Sequence, residues 1–100
     1  VRARNIKPGF WTNEELADCD PIERLLFIGL WCLADRDGKL RDKPRKIAAE
    51  IFPYGAGPRL DQGQTQAVPG IDLGAALSRL AAARLILRYE VGGERFISIP

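Results

Sequence analysis

Apolar positions fall in blocks whose period changes along the chain. Ile22, Leu25, Leu26, Gly29, Leu30 and Leu33 recur at helical spacing, while Phe27, Ile28, Trp31 and Cys32 make the opposite side apolar as well. A helix apolar on nearly every side is expected at the centre of a fold. Its start is marked by Asp20-Pro21-Ile22-Glu23: a capping carboxylate, proline at the first helical position and an acid in the first turn. Asp37-Gly38 marks a turn after its end near Asp35, and Lys39-Leu40-Arg41 has room only for a short strand. Upstream, Thr12-Asn13-Glu14-Glu15-Leu16 predicts a short helical turn, with the Thr12 hydroxyl as cap and Glu15 reaching back.

A second helix, capped by Asp42 or Lys43, is expected to carry Pro44 in its first turn, bury Ile47, Ala48 and Ile51, and stop at Pro53. A third begins at Asp72, with Leu73, Ala76, Leu77 and Leu80 on one face and Gly74, Ala75, Ser78, Arg79 and Ala82 on the other. Between them, residues 54–70 hold Gly, Pro and Gln with hardly an apolar anchor, the composition of a flexible insertion loop. After Arg84 the period becomes two, across Leu85 to Val91 and Glu94 to Ile99, with Gly92-Gly93 between. This is a β-hairpin. A two-residue glycine turn pairs Tyr89 with Phe96 and Arg88 with Ile97, whereas a three-residue loop gathers Leu87, Tyr89, Val91, Ile97 and Ile99 on one face. The glycines favour the first.

Helix, short strand, helix, loop, helix, hairpin is the order of a winged helix-turn-helix, an α+β domain of three main helices and a small antiparallel sheet with a hairpin wing. An α+β domain of unrelated topology is the alternative. The 100 residues make one domain. With 46% hydrophobic and 28% charged residues, the composition is that of a globular chain. The longest apolar run, Leu25 to Ala34, is about half of the roughly 20 residues that span a bilayer. Together with an N-terminus lacking an initiator Met or apolar signal core, this reads as a cytoplasmic fragment of a longer protein with no membrane association.

The formal net charge is only +2, but its distribution is uneven. Residues 1–11, the N-terminal arm, carry Arg2, Arg4 and Lys7 with no acid, and residues 12–23 carry five acids with no base. Residues 39–50 are basic again, and Arg79, Arg84, Arg88 and Arg95 follow. There is no His, which removes imidazole acid–base chemistry and the usual triads. The two cysteines, Cys19 and Cys32, read as unpaired thiols rather than a disulfide or metal pair. No cofactor, metal or catalytic constellation is implied, and Trp11 and Trp31 are assigned to the core.

Arg4-Asn5-Ile6-Lys7-Pro8-Gly9-Phe10, the Thr12 to Leu16 string, Leu25 to Trp31 with Leu33-Ala34-Asp35-Arg36, Ile51-Phe52-Pro53-Tyr54 and Arg95 to Pro100 together resemble the N-terminal winged-helix region of phage and prophage replication initiators of the replisome-organiser or primosome type. The chain departs from that pattern where a Gly/Pro/Gln stretch replaces a short linker between the second and third helices. The resemblance implies binding of duplex DNA at a replication origin. It also implies replication proteins, such as a helicase or its loader, as partners. The oligomeric state is left open, a homo-oligomer included.

On this reading Lys43, Arg45 and Lys46 contact phosphates, Ser78 and Arg79 approach base edges in the major groove, and Arg84 meets a phosphate. Arg88 and Arg95 on the wing, with Arg2, Arg4 and Lys7 on the arm, enter a minor groove or clamp the backbone. The third helix offers one arginine among alanines and a glycine, so contact is expected mainly through phosphates. The rival expectation is a winged helix used for protein assembly or dimerisation.

Overall fold

A computed structural model describes residues 3–55 and 72–100. Among these, α1 (Gly9–Thr12), α2 (Glu14–Ala17), α3 (Pro21–Leu33), β1 (Lys39–Arg41), α4 (Pro44–Ile51), α5 (Leu73–Ala82), β2 (Leu87–Val91) and β3 (Glu94–Ser98) follow in order. The result is an α+β fold in which α3, α4 and α5 contact one another pairwise and the three strands form an antiparallel sheet in the order β1-β3-β2. The short first strand joins the hairpin through β3, with Leu40 opposite Ile97.

α3 starts as its sequence demands. The Asp20 carboxylate accepts the Glu23 N–H at 2.8 Å and Glu23 returns the bond to the Asp20 N–H at 3.1 Å, a complete capping box with Pro21 behind it. Leu26 and Leu30 from this helix meet Leu77 and Leu80 from α5 and Ile97 from β3 in a core of fully buried side chains. α5 is capped by Asp72, which accepts the Ala75 N–H at 3.0 Å, and buries Leu73, Ala76, Leu77 and Leu80.

The hairpin adopts the two-residue register: Arg88 lies opposite Ile97, Tyr89 opposite Phe96 and Glu90 opposite Arg95. Gly92 and Gly93 both have positive φ, 59° and 83°, as the turn requires. Turn chemistry therefore prevails over the tidier apolar face, and Leu87 and Val91 are left exposed on the side of the sheet away from Ile97.

Four expectations need correction. Asn13, not Thr12, caps α2, accepting the N–H groups of Glu15 and Leu16, because Thr12 is spent as the last residue of α1. Trp11 is not in the core; it is 72% exposed. Phe10 takes the inward position, and the next residue of a helix is rotated by about 100°. Leu25 of the central helix is likewise exposed. The segment read as an N-terminal arm is docked in part: Phe10 is buried, and the Arg4 guanidinium donates to the carbonyls of Ala34 and Asp35 that end α3. Arg2 lies outside the described residues, as does the 54–70 insertion beyond Gly55. No helix among the described residues is long and apolar enough to cross a membrane.

Candidate nucleic-acid interface

Asp42, at the end of β1, is positioned by the sheet: its N–H donates to the Arg95 carbonyl at 3.0 Å. Its buried carboxylate receives two bonds from the Arg88 guanidinium, at 2.5 and 3.0 Å, and so does not cap α4. Lys43 occupies the N-cap position with no side-chain bond, and Pro44 follows it. The backbone N–H groups of Arg45 and Lys46 thus open α4 without a side-chain acceptor, where the helix dipole favours an anion.

The third bond of the Arg88 guanidinium is donated from its remaining terminal nitrogen to the Ser78 hydroxyl, at 3.2 Å. That hydroxyl donates in turn to the Gly74 carbonyl at 3.0 Å. One side chain of β2 therefore ties the β2–β3 hairpin to the start of α4 and to the exposed side of α5. These are the three elements that carry the cations expected to meet DNA. A paired, hydrogen-bonded Arg–Asp fork of this kind also satisfies the buried carboxylate, which would be costly if left alone.

Arg79 is held differently. Its Nε–H donates to the Glu23 carboxylate, which is almost wholly buried, while the arginine itself is more than half exposed. This bond raises the guanidinium pKa further above its usual range. Glu23 thus serves two elements at once, closing the α3 capping box with one oxygen and anchoring α5 with the other. Sequence reasoning took Glu23 only as a first-turn acid; its place on the buried stripe of α3, three and seven residues before Leu26 and Leu30, is the signal that could have revealed such a partner. Elsewhere Arg24 donates to the carbonyls of Leu16, Ala17 and Cys19, closing α2. Burial pushes the neighbouring Cys19 thiol up, with the Glu23 carboxylate adding to it. Cys19 and Cys32 are both free.

No family model, curated protein or solved structure matches the chain. The placement of each candidate therefore comes from the fold alone. Arg4, Ser78, Arg79 and Arg88 make internal bonds. Lys7, Lys43, Arg45, Lys46, Arg84 and Arg95 are exposed and make no ion pair among the described residues. Lys43 and Lys46 line one groove with Glu50 and with Arg41, whose own guanidinium reaches Glu94 at 3.3 Å across an exposed surface. Such a pair contributes little to stability. What this surface can do chemically is hold anions: backbone donors at a helix start, flanked by exposed cations, with further cations at Arg95 on the β2–β3 hairpin and at Arg84 after α5.

Proposed function

We propose that this chain is a winged-helix domain that binds duplex DNA mainly through backbone phosphates, as the N-terminal part of a phage or prophage replication initiator. The observation that carries the reading is the first turn of α4. Of the two expected caps, Asp42 is drawn to Arg88 and Lys43 offers no side-chain acceptor, so the open N–H groups stand among Lys43, Arg45 and Lys46. A phosphate is the ligand with the charge and the acceptors to satisfy that arrangement.

In this reading α4 and α5 are the helix-turn-helix and β2–β3 is the wing. Arg88 acts as the brace that keeps them in register, not as a DNA contact. Arg79 keeps its terminal nitrogens for the duplex but is tethered at Nε, and Ser78 is engaged on both sides. Base readout is correspondingly sparse, and binding discriminates weakly between sequences.

The test is a titration of the chain with a random-sequence duplex at several salt concentrations. Log K should fall steeply with log salt, by roughly 0.9 per neutralised phosphate. Replacing Lys43, Arg45 and Lys46 together by Ala should make that slope shallower by about 2 to 3 and weaken all duplexes alike. Absence of binding at low salt, or a slope unchanged in the triple variant, contradicts the proposal.

A further inference from the structure

Beside the C-terminal end of α3, the first residues of the chain and the turn after the helix enclose an open pocket of about 450 Å³, within the range of about 300 to 1,000 Å³ usual for small-molecule sites. Two aromatic rings line it, the buried Phe27 and the half-buried Trp31, which meet edge to face with centroids 5.1 Å apart. Three exposed cations line it as well: Arg4, Lys7 and Arg36. Asp37 is the one acidic side chain among the described residues of the lining. Counting the carboxylate at Pro100 as a second acid still leaves the lining positive.

The pocket is held in shape by bonds that do not use up its charge. Arg4 makes both of its protein bonds, to the Ala34 and Asp35 carbonyls at 3.2 and 2.9 Å, from a single terminal nitrogen. The helix end thus fixes the guanidinium, while its Nε and second terminal nitrogen meet no protein acceptor among the described residues. Lys7 and Arg36 enter no ion pair among those residues. Gly38, at φ 77°, donates to the Asp35 carbonyl at 2.9 Å and accepts the Ile99 N–H at 2.7 Å. A Cβ at Gly38 would stand 2.7 Å from the Ile99 carbonyl oxygen, so this wall closes only on glycine. Donors and walls fixed in advance cost little to order when a ligand arrives.

We propose that this pocket binds a nucleotide, the base against Trp31 and Phe27 and the phosphate among Arg4, Lys7 and Arg36. An uncharged aromatic ligand would leave the three cations unanswered, and a bare phosphate would leave the rings to water. A phosphate monoester carries close to two negative charges and three acceptor oxygens, which suits an anchored arginine with donors to spare. Every base offers a flat face to an aromatic side chain. A free nucleotide and the 5′ end of a DNA strand present the same base and phosphate. The inference does not rest on the duplex reading, because no residue of the lining belongs to α4, α5 or the β2–β3 hairpin.

The experiment is a titration of the isotopically labelled 100-residue chain with adenosine 5′-monophosphate, read on the Trp31 indole N–H and the amides of residues 36–38. Saturable shifts are expected there, with Trp11 and the start of α4 unmoved. Adenosine alone and inorganic phosphate alone should each bind roughly tenfold more weakly or worse. The Lys7→Ala, Arg36→Ala double variant should lose roughly tenfold or more in affinity for the monophosphate. Asp37→Asn should tighten binding, and the Lys43, Arg45 and Lys46 triple variant should leave it unchanged. Circular dichroism confirms that each variant is folded, and the opposite sign at Asp37 keeps the comparison independent of any one of them. A 5′-phosphorylated single strand that binds more tightly than the monophosphate, with the same loss in the double variant, assigns the pocket to a strand end. One that binds no better assigns it to the free nucleotide. No shift at millimolar monophosphate, equal affinity for adenosine alone, or a loss in the α4 variant without one in the double variant overturns the proposal.

Discussion

Arg84 holds φ at 63°, in the left-handed region that glycine normally occupies at the end of a helix. The motif around it is complete: the Leu85 N–H reaches the Leu80 carbonyl and the Arg84 N–H the Ala81 carbonyl, both at 3.0 Å, and Leu80 and Leu85 are both in the core. The side chain is exposed and its backbone strained, so Arg84→Gly is expected to stabilise the fold by about 0.5 to 1 kcal/mol in urea denaturation. The same variant should weaken duplex binding and reduce the salt slope by about one, if the arginine meets a phosphate. A loss of stability would show that the Arg84 side chain contributes more to the fold than its backbone costs. Stability and affinity moving in opposite directions is the signature of a residue retained for binding.

Two glycines test the packing of the elements. A Cβ on Gly29 would sit 2.6 to 2.8 Å from three side-chain atoms of Ile51, so α3 and α4 approach each other only because that position has no side chain. Gly29→Ala is expected to destabilise by about 1 to 2 kcal/mol, overpacking outweighing the gain in helix propensity. On α5 a Cβ at Gly74 meets only the Asp72 carboxylate at 3.6 Å, and Gly74→Ala should stabilise by about 0.5 to 1 kcal/mol. Thermal melts of the pair check both signs, and equal effects would contradict the packing described. At this scale most of the fold was legible. Asp20-Pro21, Asp72 and Gly92-Gly93 each act as their local chemistry requires, and the hairpin register followed the glycines. Of the two caps offered for α4, Lys43 holds the position; that Asp42 is instead taken by Arg88, forty-six residues away in sequence, was not legible. Local spacing carries no information about such a pairing.

At the scale of the whole molecule, a formal charge of +2 is what remains of basic blocks at residues 1–11 and 39–50 and an acidic block at residues 12–23. The charge blocks were visible in the sequence, but which cations remain free was not: Arg4, Arg79 and Arg88 are engaged by partners about 30, 56 and 46 positions away. Trp11 was misplaced for a related reason. Phe10 and Trp11 are equally apolar, and only the packing of α1 decides which one turns inward. The candidate interface that emerges is narrower than the list of basic residues. It is centred on the start of α4, with Arg84 and Arg95 as outlying contacts and Arg88 as its brace. The most direct measurement is the amide NMR spectrum of the isotopically labelled chain titrated with a short random-sequence duplex. Shifts concentrated at residues 43–47, around Arg84 and on the β2–β3 hairpin near Arg95, with Trp11 and Leu25 unmoved, are the predicted result. Shifts centred on Trp11, Glu14 and Leu25, or no shift at low salt, would contradict it.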